Sequence, residues 1–131
     1  MIPPKFEYIY SITYFRKSIT YQHSIKTEPT IKSAYETIVF LRLIPKNDGV
    51  EIVIAVGEKE LWGKGIGHKA VLEALKKAFF DMRTEKVVAK IKKTNKRSRN
   101  LFKGIGFMEV KELEREIEYK ITKETFFKIA S

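Results

Sequence analysis

The sequence predicts a single domain of mixed α+β class. Two observations support this fold class. The first third of the 131 residues consists mainly of strand-like segments, and the apolar pattern changes to a helical period at Gly65. After that point a helix, a strand, a second helix and two strands follow one another. This order does not alternate as a doubly wound sheet would require, and the length fits one domain over residues 1–131.

The first four elements are predicted strands. The segments FEYIYSITYF, SITYQHSIKT and YETIVFLRLI are rich in aromatic and β-branched residues, which favour extended structure. The third segment is followed by PKNDG, a turn signal that includes Asp48 and Gly49, and then by the strand VEIVIAV. We therefore expect these two strands to form a hairpin with a longer loop.

The remaining elements are predicted from a change of period and from glycines. From Gly65 the apolar residues recur at helical spacing, and the helix should end between Asp81 and Thr84. KVVAKI predicts a short buried strand, and TNKRSRNLFKGIGF predicts a helix that ends at Gly104 or Gly106. FMEVKEL and EIEYKIT alternate as a terminal hairpin should, and KETFFKIAS predicts a short last helix.

Composition narrows the function. The chain has 26 Lys and Arg against 16 Asp and Glu, a formal net charge of +10, which favours anionic ligands, nucleic acid included, and repels polycations. Genome composition or heat adaptation explains the lysine surplus equally well. The absence of cysteine excludes disulfides and thiolate metal sites, and we expect a cytoplasmic protein without a metal. The apolar runs are too short to span a membrane, and no secretion signal is evident.

Alternate glycines mark a candidate anion site. In EKELWGKGIGHKAVLEAL, the residues Gly63, Gly65 and Gly67 lead into the first helix. Bare backbone at a helix N-terminus offers free N–H groups and a positive dipole to an anion. The candidates are a nucleoside triphosphate, a dinucleotide and the pyrophosphate of coenzyme A, and a glycine-rich turn without any ligand also stays open.

The spacing disfavours the first two ligands. A P-loop has four residues before its Gly-Lys pair and a hydroxyl after it, whereas five residues separate Gly57 from Gly63 and Lys64 is followed by glycine. A dinucleotide fingerprint would follow its strand directly, with an acidic residue ending the next strand. Here GEKELW intervenes, and the next strand ends in lysines.

Two motifs together resemble the GNAT acetyltransferase superfamily. VEIVIAVGEKELWGKGIGHKAVLEAL looks like its acyl-CoA signature, [QR]-x-x-G-x-[GA], and NKRSRNLFKGIGF looks like its closing motif, N-x-x-S-x-x-L-[YF]-x-x-x-G-F. The segment EKELWGKGIG is most similar to the branch that acetylates the N-termini of ribosomal proteins. The resemblance covers roughly Thr37 to Tyr119. It implies a central, mostly antiparallel sheet of about six to seven strands flanked by helices, here with a shortened, β-rich N-terminal region.

The resemblance also implies acetyl-CoA as cosubstrate. The strands Val50–Val56 and Lys86–Ile91 would diverge to receive its pantetheine arm, and the backbone N–H of Ala55 would polarise the thioester carbonyl. Trp62 stands where the family usually has Gln or Arg, and a core role is open for it as well. The implied cofactor contacts are Ile54, Ala55, Val56, Trp62, Gly63, Lys64, Gly65, Ile66, Gly67, His68, Asn95 and Phe102.

Two residues are candidates for proton transfer. Glu51 matches the position of a glutamate base in some family members, and the alternative is a strand-end carboxylate paired with a lysine. The closing motif often supplies a Tyr to protonate the leaving thiolate, but Phe102 occupies that position. Ser98 or solvent would then donate the proton. The basic stretch from Lys90 to Lys103 is either a solvated face or a contact for the adenosine 3′-phosphate or nucleic acid.

We therefore predict an acetyl-CoA-dependent N-acetyltransferase that acts on a primary amine, either a protein N-terminus or a small amine. The alternatives are a weak or inactive module that binds CoA or nucleic acid, and an enzyme similar to the toxins that acetylate aminoacyl-tRNA. We expect a monomer or homodimer, with the Tyr-rich first strands as a candidate edge.

Overall fold

The computed structural model of the chain describes residues 9–15, 19–24, 37–56 and 65–130. Its strands form one seven-stranded sheet in the order β2-β1-β3-β4-β5-β7-β6. Every neighbouring pair is antiparallel except β4 and β5, which are parallel. The predicted fold class and strand number are therefore confirmed. The strands are β1 (Ile9–Phe15), β2 (Ile19–Ser24), β3 (Thr37–Lys46), β4 (Gly49–Val56), β5 (Lys86–Lys92), β6 (Met108–Glu112) and β7 (Glu116–Thr122).

The turn between β3 and β4 is tighter than the sequence predicted. Only Asn47 and Asp48 lie outside the strands, because β3 continues through Pro45 to Lys46. Lys46 pairs with Gly49 across the turn. The expectation of a longer loop was wrong, since a proline is tolerated in a strand wherever its missing N–H is not needed by the neighbouring strand.

Three helices are present in the described part. They are α1 (Ile66–Lys76), α2 (Lys96–Ile105) and α3 (Lys123–Ala130), and α1 continues as a π-helical turn over Lys77–Asp81. The helix α2 ends at Gly106, whose φ of 130° suits glycine, and Gly104 lies inside the helix. The short last helix is confirmed. The π-helical turn was not expected from the sequence.

The core lies between one face of the sheet and these helices. The register places the alternate buried residues of β4, β5 and β7 on the same face, because Val50 pairs with Val87 and Ala89 pairs with Tyr119. On the opposite face of β4, Val53 is 43% exposed. The largest fully buried side chains are Tyr119, Phe79, Phe102, Phe126, Leu41, Leu43, Leu75, Ile121, Val71 and Val87.

Candidate active site between two diverging strands

The predicted divergence of β4 and β5 is confirmed by their register. The two strands pair only at Val50 with Val87 and at Glu51 with Val88. Yet β4 continues to Val56, and β5 continues to Lys92. From Glu51 onward the strands therefore part, and a gap opens in the middle of the sheet. A parallel pair that separates leaves backbone N–H and C=O groups along both of its edges.

The hairpin determines which β4 amides face this gap. Lys46 and Gly49 flank the two-residue turn and form a hydrogen-bonded pair, and such pairs alternate along an antiparallel ladder. Val53 and Ala55 therefore direct their amides to β3, with Ala55 opposite Phe40.

The even-numbered residues have the other orientation. Beyond the segment paired with β5, the amides of Ile54 and Val56 point into the gap. The geometry therefore allows the backbone contacts with the cofactor that are predicted for these two residues. This direction does not favour the prediction that the Ala55 amide is the thioester donor, because one residue along a strand reverses the direction of the amide.

Among the described residues, no side chain caps the N-terminus of α1. Gly65 is its N-cap, with φ of 79° and no side-chain cap hydrogen bond, and the first turn has no acidic residue. The first helical hydrogen bond runs from the N–H of Lys69 to the carbonyl of Gly65, at 3.0 Å. The amides of Ile66, Gly67 and His68 therefore have no acceptor inside the helix. His68 is exposed in this first turn.

The two described glycines of the motif have different roles. A Cβ built at Gly65 would meet no atom of the described residues within 4 Å, so this position is open on that side. A Cβ at Gly67 would come within 3.2 Å of Cδ2 of Leu101. Gly67 therefore also lets the start of α1 approach α2. The predicted contacts Trp62, Gly63 and Lys64 lie outside the described residues.

The second motif lies at the start of α2. Asn95 is its N-cap, and its Oδ1 accepts a hydrogen bond from the N–H of Ser98 at 3.1 Å. This cap occupies the carbonyl of the Asn95 amide and leaves its Nδ2 as a donor. Ser98 is half-buried in the first turn of α2.

Phe102 lies one helical turn after Ser98, but in the core. Its side chain is 1% exposed, and its ring meets that of Phe107 edge to face at 4.9 Å between centroids. A ring buried in this way has no surface on which to contact a ligand. The predicted cofactor contact of Phe102 is therefore corrected to a core role. Its ring packs α2 against the hydrophobic core.

Glu51 lies where β4 and β5 part. It is the last residue of β4 that pairs with β5, and its side chain is 15% exposed. Its Oε1 is 3.2 Å from Nζ of Lys46, so the alternative of a strand carboxylate paired with lysine describes its present contact. The alternation along β4 directs this carboxylate to the face opposite the helices. The sequence did not indicate Lys46 as a partner, although a short turn would have brought the two residues together.

The described residues include neither a membrane-spanning helix nor a metal cluster. Within the described ranges, no helix combines the length and the apolar character that crossing a membrane requires. The same ranges contain no group of three or more His, Cys, Asp or Glu side chains that could hold a metal ion.

Several solved structures share the fold of this chain. A chimera of the spermidine N-acetyltransferase SpeG from Vibrio cholerae with hSSAT superposes with a TM-score of 0.63 at 22% identity, covering 70% of this chain and 62% of that one. A domain from Methanocaldococcus jannaschii gives 0.62 at 30% identity, with 79% and 66% covered. An uncharacterised protein from Bacillus halodurans gives 0.64 at 21% identity, with 71% and 56% covered.

A family model matches most of the chain, although the chain is shorter than the structures that it resembles. The chain spans 62% and 66% of the first two matched structures, which is less than two thirds of their length. No curated protein matches the sequence. The family model described as an acetyltransferase (GNAT) domain matches residues 19–108, which is more than half of the 131 residues. The chain therefore belongs to the GNAT acetyltransferase family.

Proposed function

We propose that this chain is an N-acetyltransferase that moves an acetyl group from acetyl-CoA to a primary amine. One observation carries the proposal. The sheet parts beyond Glu51, where β4 turns the amides of Ile54 and Val56 into the gap, and nine residues separate Val56 from α1, which begins with N–H groups that have no acceptor inside the helix. The pantetheine arm of coenzyme A is extended, carries amide groups along its middle and ends at a diphosphate. Its middle would fit the gap, and its diphosphate would fit the helix N-terminus.

The residues present fit acetyl-CoA. A diphosphate needs N–H donors and positive potential, and the amides of Ile66, Gly67 and His68 supply both at a helix N-terminus. The open space at Gly65 leaves room for a group that a side chain would displace. When bound, acetyl-CoA supplies a thioester whose acetyl carbon accepts the amine.

The chain's own groups would then assist two proton movements. The attacking nitrogen forms its bond to the acetyl carbon and releases a proton, for which Glu51 is the proposed base, directly or through a water molecule. The bond from carbon to sulfur breaks, and the sulfur takes a proton from Ser98 or from solvent. We reassign the amide that polarises the carbonyl from Ala55 to Ile54. One well-aimed donor of this kind lowers the barrier by about 3–4 kcal/mol.

The charges beside the gap favour a single amine over a polyamine. Glu51 is the sole acidic residue of β4, and Lys46 already pairs with it. The strand β5 has the sequence KVVAKIK, so its charges are all positive. A polyamine needs several carboxylates along its length, whereas a protein N-terminus or a small amine needs one base and room for its body. Within this class, the branch that acetylates ribosomal-protein N-termini is our more specific proposal.

A module without turnover is the second candidate. Phe102 cannot donate a proton where the family often has Tyr, and this observation favours slow chemistry or binding alone.

An amine carried on RNA is a further candidate acceptor. The exposed Lys90, Lys92 and Lys96 near the start of α2 would suit an anionic carrier of the amine, such as aminoacyl-tRNA.

Thiol release from acetyl-CoA tests these candidates together. The panel contains peptides with free N-termini, an amino-acid amide, spermidine and aminoacyl-tRNA, and acetyl-CoA binding is measured in parallel. We expect amine-dependent release with a monoamine and little with spermidine. Release with spermidine alone would reverse the acceptor assignment. Binding without release by any amine would favour the inactive module.

A further inference from the structure

Two side chains of opposite charge lie in contact where β4 and β5 part. Oε1 of Glu51 is 3.2 Å from Nζ of Lys46, and the two side chains are 15% and 51% exposed. Glu51 lies opposite Ile44 and Lys46 lies opposite Gly49, so they are diagonal neighbours on the face of the hairpin opposite the helices. Among the described residues, neither has another hydrogen-bond or ion-pair partner. We call Lys46 and Glu51 the charge pair.

The charge pair keeps capacity for further contacts. A lysine ammonium has three donors and a carboxylate has two acceptor oxygens, whereas a single contact joins these two groups. Because Lys46 is half-exposed, its side chain can move away from Glu51 at little cost in stability. The charge pair can therefore exchange its internal contact for contacts with a bound molecule.

The immediate neighbours of Glu51 on this face are apolar. Ile44 lies beside it on β3, Val88 lies beside it on β5, and Val53 follows it along β4. Apolar neighbours offer no alternative partner to a charged group. A small polar molecule that binds here would therefore make its charged contacts with the charge pair.

The more distant charges on this face are mainly positive. Within β3, β4 and β5, Glu51 is the one acidic residue, whereas the basic side chains on this face are Arg42, Lys46, Lys86, Lys90 and Lys92. Of these, Lys86 pairs with Asp48 of the turn at 2.9 Å. Lys90 and Lys92 lie opposite two glutamates of β7. An amine that approaches Glu51 therefore has basic side chains on both sides.

An amine bound at Glu51 would deprive Lys46 of its partner. The proposed base has to contact the attacking nitrogen, so the amine takes the position that the Lys46 ammonium now holds. An acceptor without an anionic group then places two positive groups at one carboxylate, and like charges repel. A carboxylate on the acceptor removes this repulsion, because it pairs with Lys46 while the amine pairs with Glu51.

We propose that the acceptor is a primary amine that carries a carboxylate a few atoms away, and that Lys46 selects it. This acceptor class rests on the proposed N-acetyltransferase activity and narrows it. In an α-amino acid a single carbon joins the two groups, so their separation is comparable to the 3.2 Å of the charge pair, and both contacts can form at once. A protein whose first residue is Asp or Glu presents the same two groups.

The transfer leaves the carboxylate of the acceptor unchanged. The nitrogen forms its bond to the acetyl carbon and passes its proton to Glu51, while the bond from that carbon to sulfur breaks and the sulfur takes a proton from Ser98 or from solvent. The product is an amide without positive charge. It retains only its contact with Lys46, which favours its release.

Steady-state thiol release with matched acceptors tests the proposal. One pair is alanine and alaninamide, and the other is a peptide that begins with Asp and the same peptide beginning with Asn. We expect a KM roughly three- to tenfold lower for the carboxylate-bearing member of at least one pair, and a smaller difference at high salt. A carboxylate makes the neighbouring amine more basic, so basicity alone would favour the neutral member. A preference in the first pair alone assigns a free amino acid, and one in the second pair alone assigns a protein N-terminus.

Substitutions of Lys46 show whether it causes the preference. Lys46→Gln should bring the two KM values of each pair together, with the effect in KM rather than in kcat. Lys46→Arg keeps the charge and should retain most of the preference. Lys120→Gln is the matched control, because it removes one positive charge from the same face about 10 Å from Glu51, across Val88. It should keep the preference, and circular dichroism confirms that each variant is folded.

Calorimetry of the same acceptors with the CoA-bound protein measures the preference without turnover. Preferential binding of the carboxylate-bearing members that Lys46→Gln abolishes, without thiol release, would contradict the proposed activity and support the charge pair as the binding site. Thiol release with equal or higher KM for those members would overturn the acceptor class and leave the activity standing. A preference that Lys46→Gln retains, or that Lys120→Gln also removes, would overturn the role of Lys46. Neither binding nor release with any acceptor would overturn both proposals.

Discussion

Gly65 combines a left-handed backbone with open space at the start of α1, so charge can be added there without a steric clash. Asn and Asp are the side chains that tolerate this conformation best, and only Asp adds a negative charge. We expect Gly65→Asp to abolish the thermal stabilisation that acetyl-CoA gives the wild type, and Gly65→Asn to retain most of it. Thermal unfolding with and without acetyl-CoA measures both.

Gly104 provides the control for this charge. It lies exposed inside α2, and a Cβ there would meet no atom of the described residues within 4 Å. Gly104→Asp should bind acetyl-CoA as the wild type does. Equal binding by Gly65→Asp would place the diphosphate elsewhere.

Glu51 is tested by removing its charge while preserving its shape. Glu51→Gln should lower turnover at neutral pH by roughly 10²–10⁴-fold, because the amine then loses its proton acceptor. Acetyl-CoA affinity should change little, and turnover should partly recover at high pH, where the amine is already neutral. Steady-state kinetics across pH measures this.

Lys46→Gln separates the base from its ion pair. It removes the contact at 3.2 Å but leaves the carboxylate in place. Since Lys46 is 51% exposed, we expect its loss to change turnover only a few-fold. An unchanged rate for Glu51→Gln would assign the proton to water.

Gly106 and Gly104 predict opposite effects of the same substitution. Gly106 has φ of 130°, and an added Cβ would clash with Cδ1 of Ile129. Gly106→Ala should therefore destabilise the protein by about 1–3 kcal/mol, mainly through backbone strain, because the end of Ile129 can move. Gly104→Ala should stabilise it by about 0.4–1 kcal/mol, since the position is helical and open. Urea unfolding of both variants measures the difference, and equal effects would contradict it.

Several elements could be predicted because short-range signals determine them. The alternation in FMEVKEL and EIEYKIT and the glycine after α2 were sufficient for the terminal hairpin and the helix end. The turn at Asn47 was misjudged, because whether Pro45 continues a strand depends on its neighbours across the sheet. The π-helical turn has no distinct period, since its extra residue follows from packing against α3.

A network joins α2 to the β6–β7 hairpin. Oε1 of Glu109 is 3.1 Å from Nζ of Lys103, and it accepts a hydrogen bond from the Tyr119 hydroxyl at 3.3 Å. The hydrogen bond from Lys103 lowers the pKa of Glu109 below its ordinary 4.5. Burial, followed by the charge of Glu109, raises the pKa of Tyr119 above 10.0.

This network predicts a dependence on pH. A carboxylate with a depressed pKa stabilises the folded state above its unfolded pKa of about 4.5, and this contribution is lost as pH falls through the lower folded value. The stability difference between wild type and Glu109→Gln should therefore be present at neutral pH and shrink in acid. Thermal unfolding from pH 7 to pH 3 measures it. A difference that is constant over this range would show that Glu109 acts through its shape alone.

At the scale of the whole molecule, the two motifs together identified the family. A match at two separate segments, in the right order and at the right spacing, is much more specific than a match at one. Composition alone left anionic ligands of several kinds open. The match over residues 19–108 supports the family, while the acceptor stays a proposal because few described side chains on the open sheet face indicate one substrate. The direction of the Ala55 amide required the exact register of the hairpin, which the predicted longer loop obscured.

The central claim is that the gap between β4 and β5 receives acetyl-CoA along the backbone of β4. Amide hydrogen exchange at single residues of β4 tests it most directly. Ala55 pairs with β3, so its exchange should be slow with or without acetyl-CoA, whereas Ile54 and Val56 face the gap and should become protected when acetyl-CoA is added. If acetyl-CoA binds and the exchange of Ile54 and Val56 stays as fast as before, the cosubstrate does not occupy this gap.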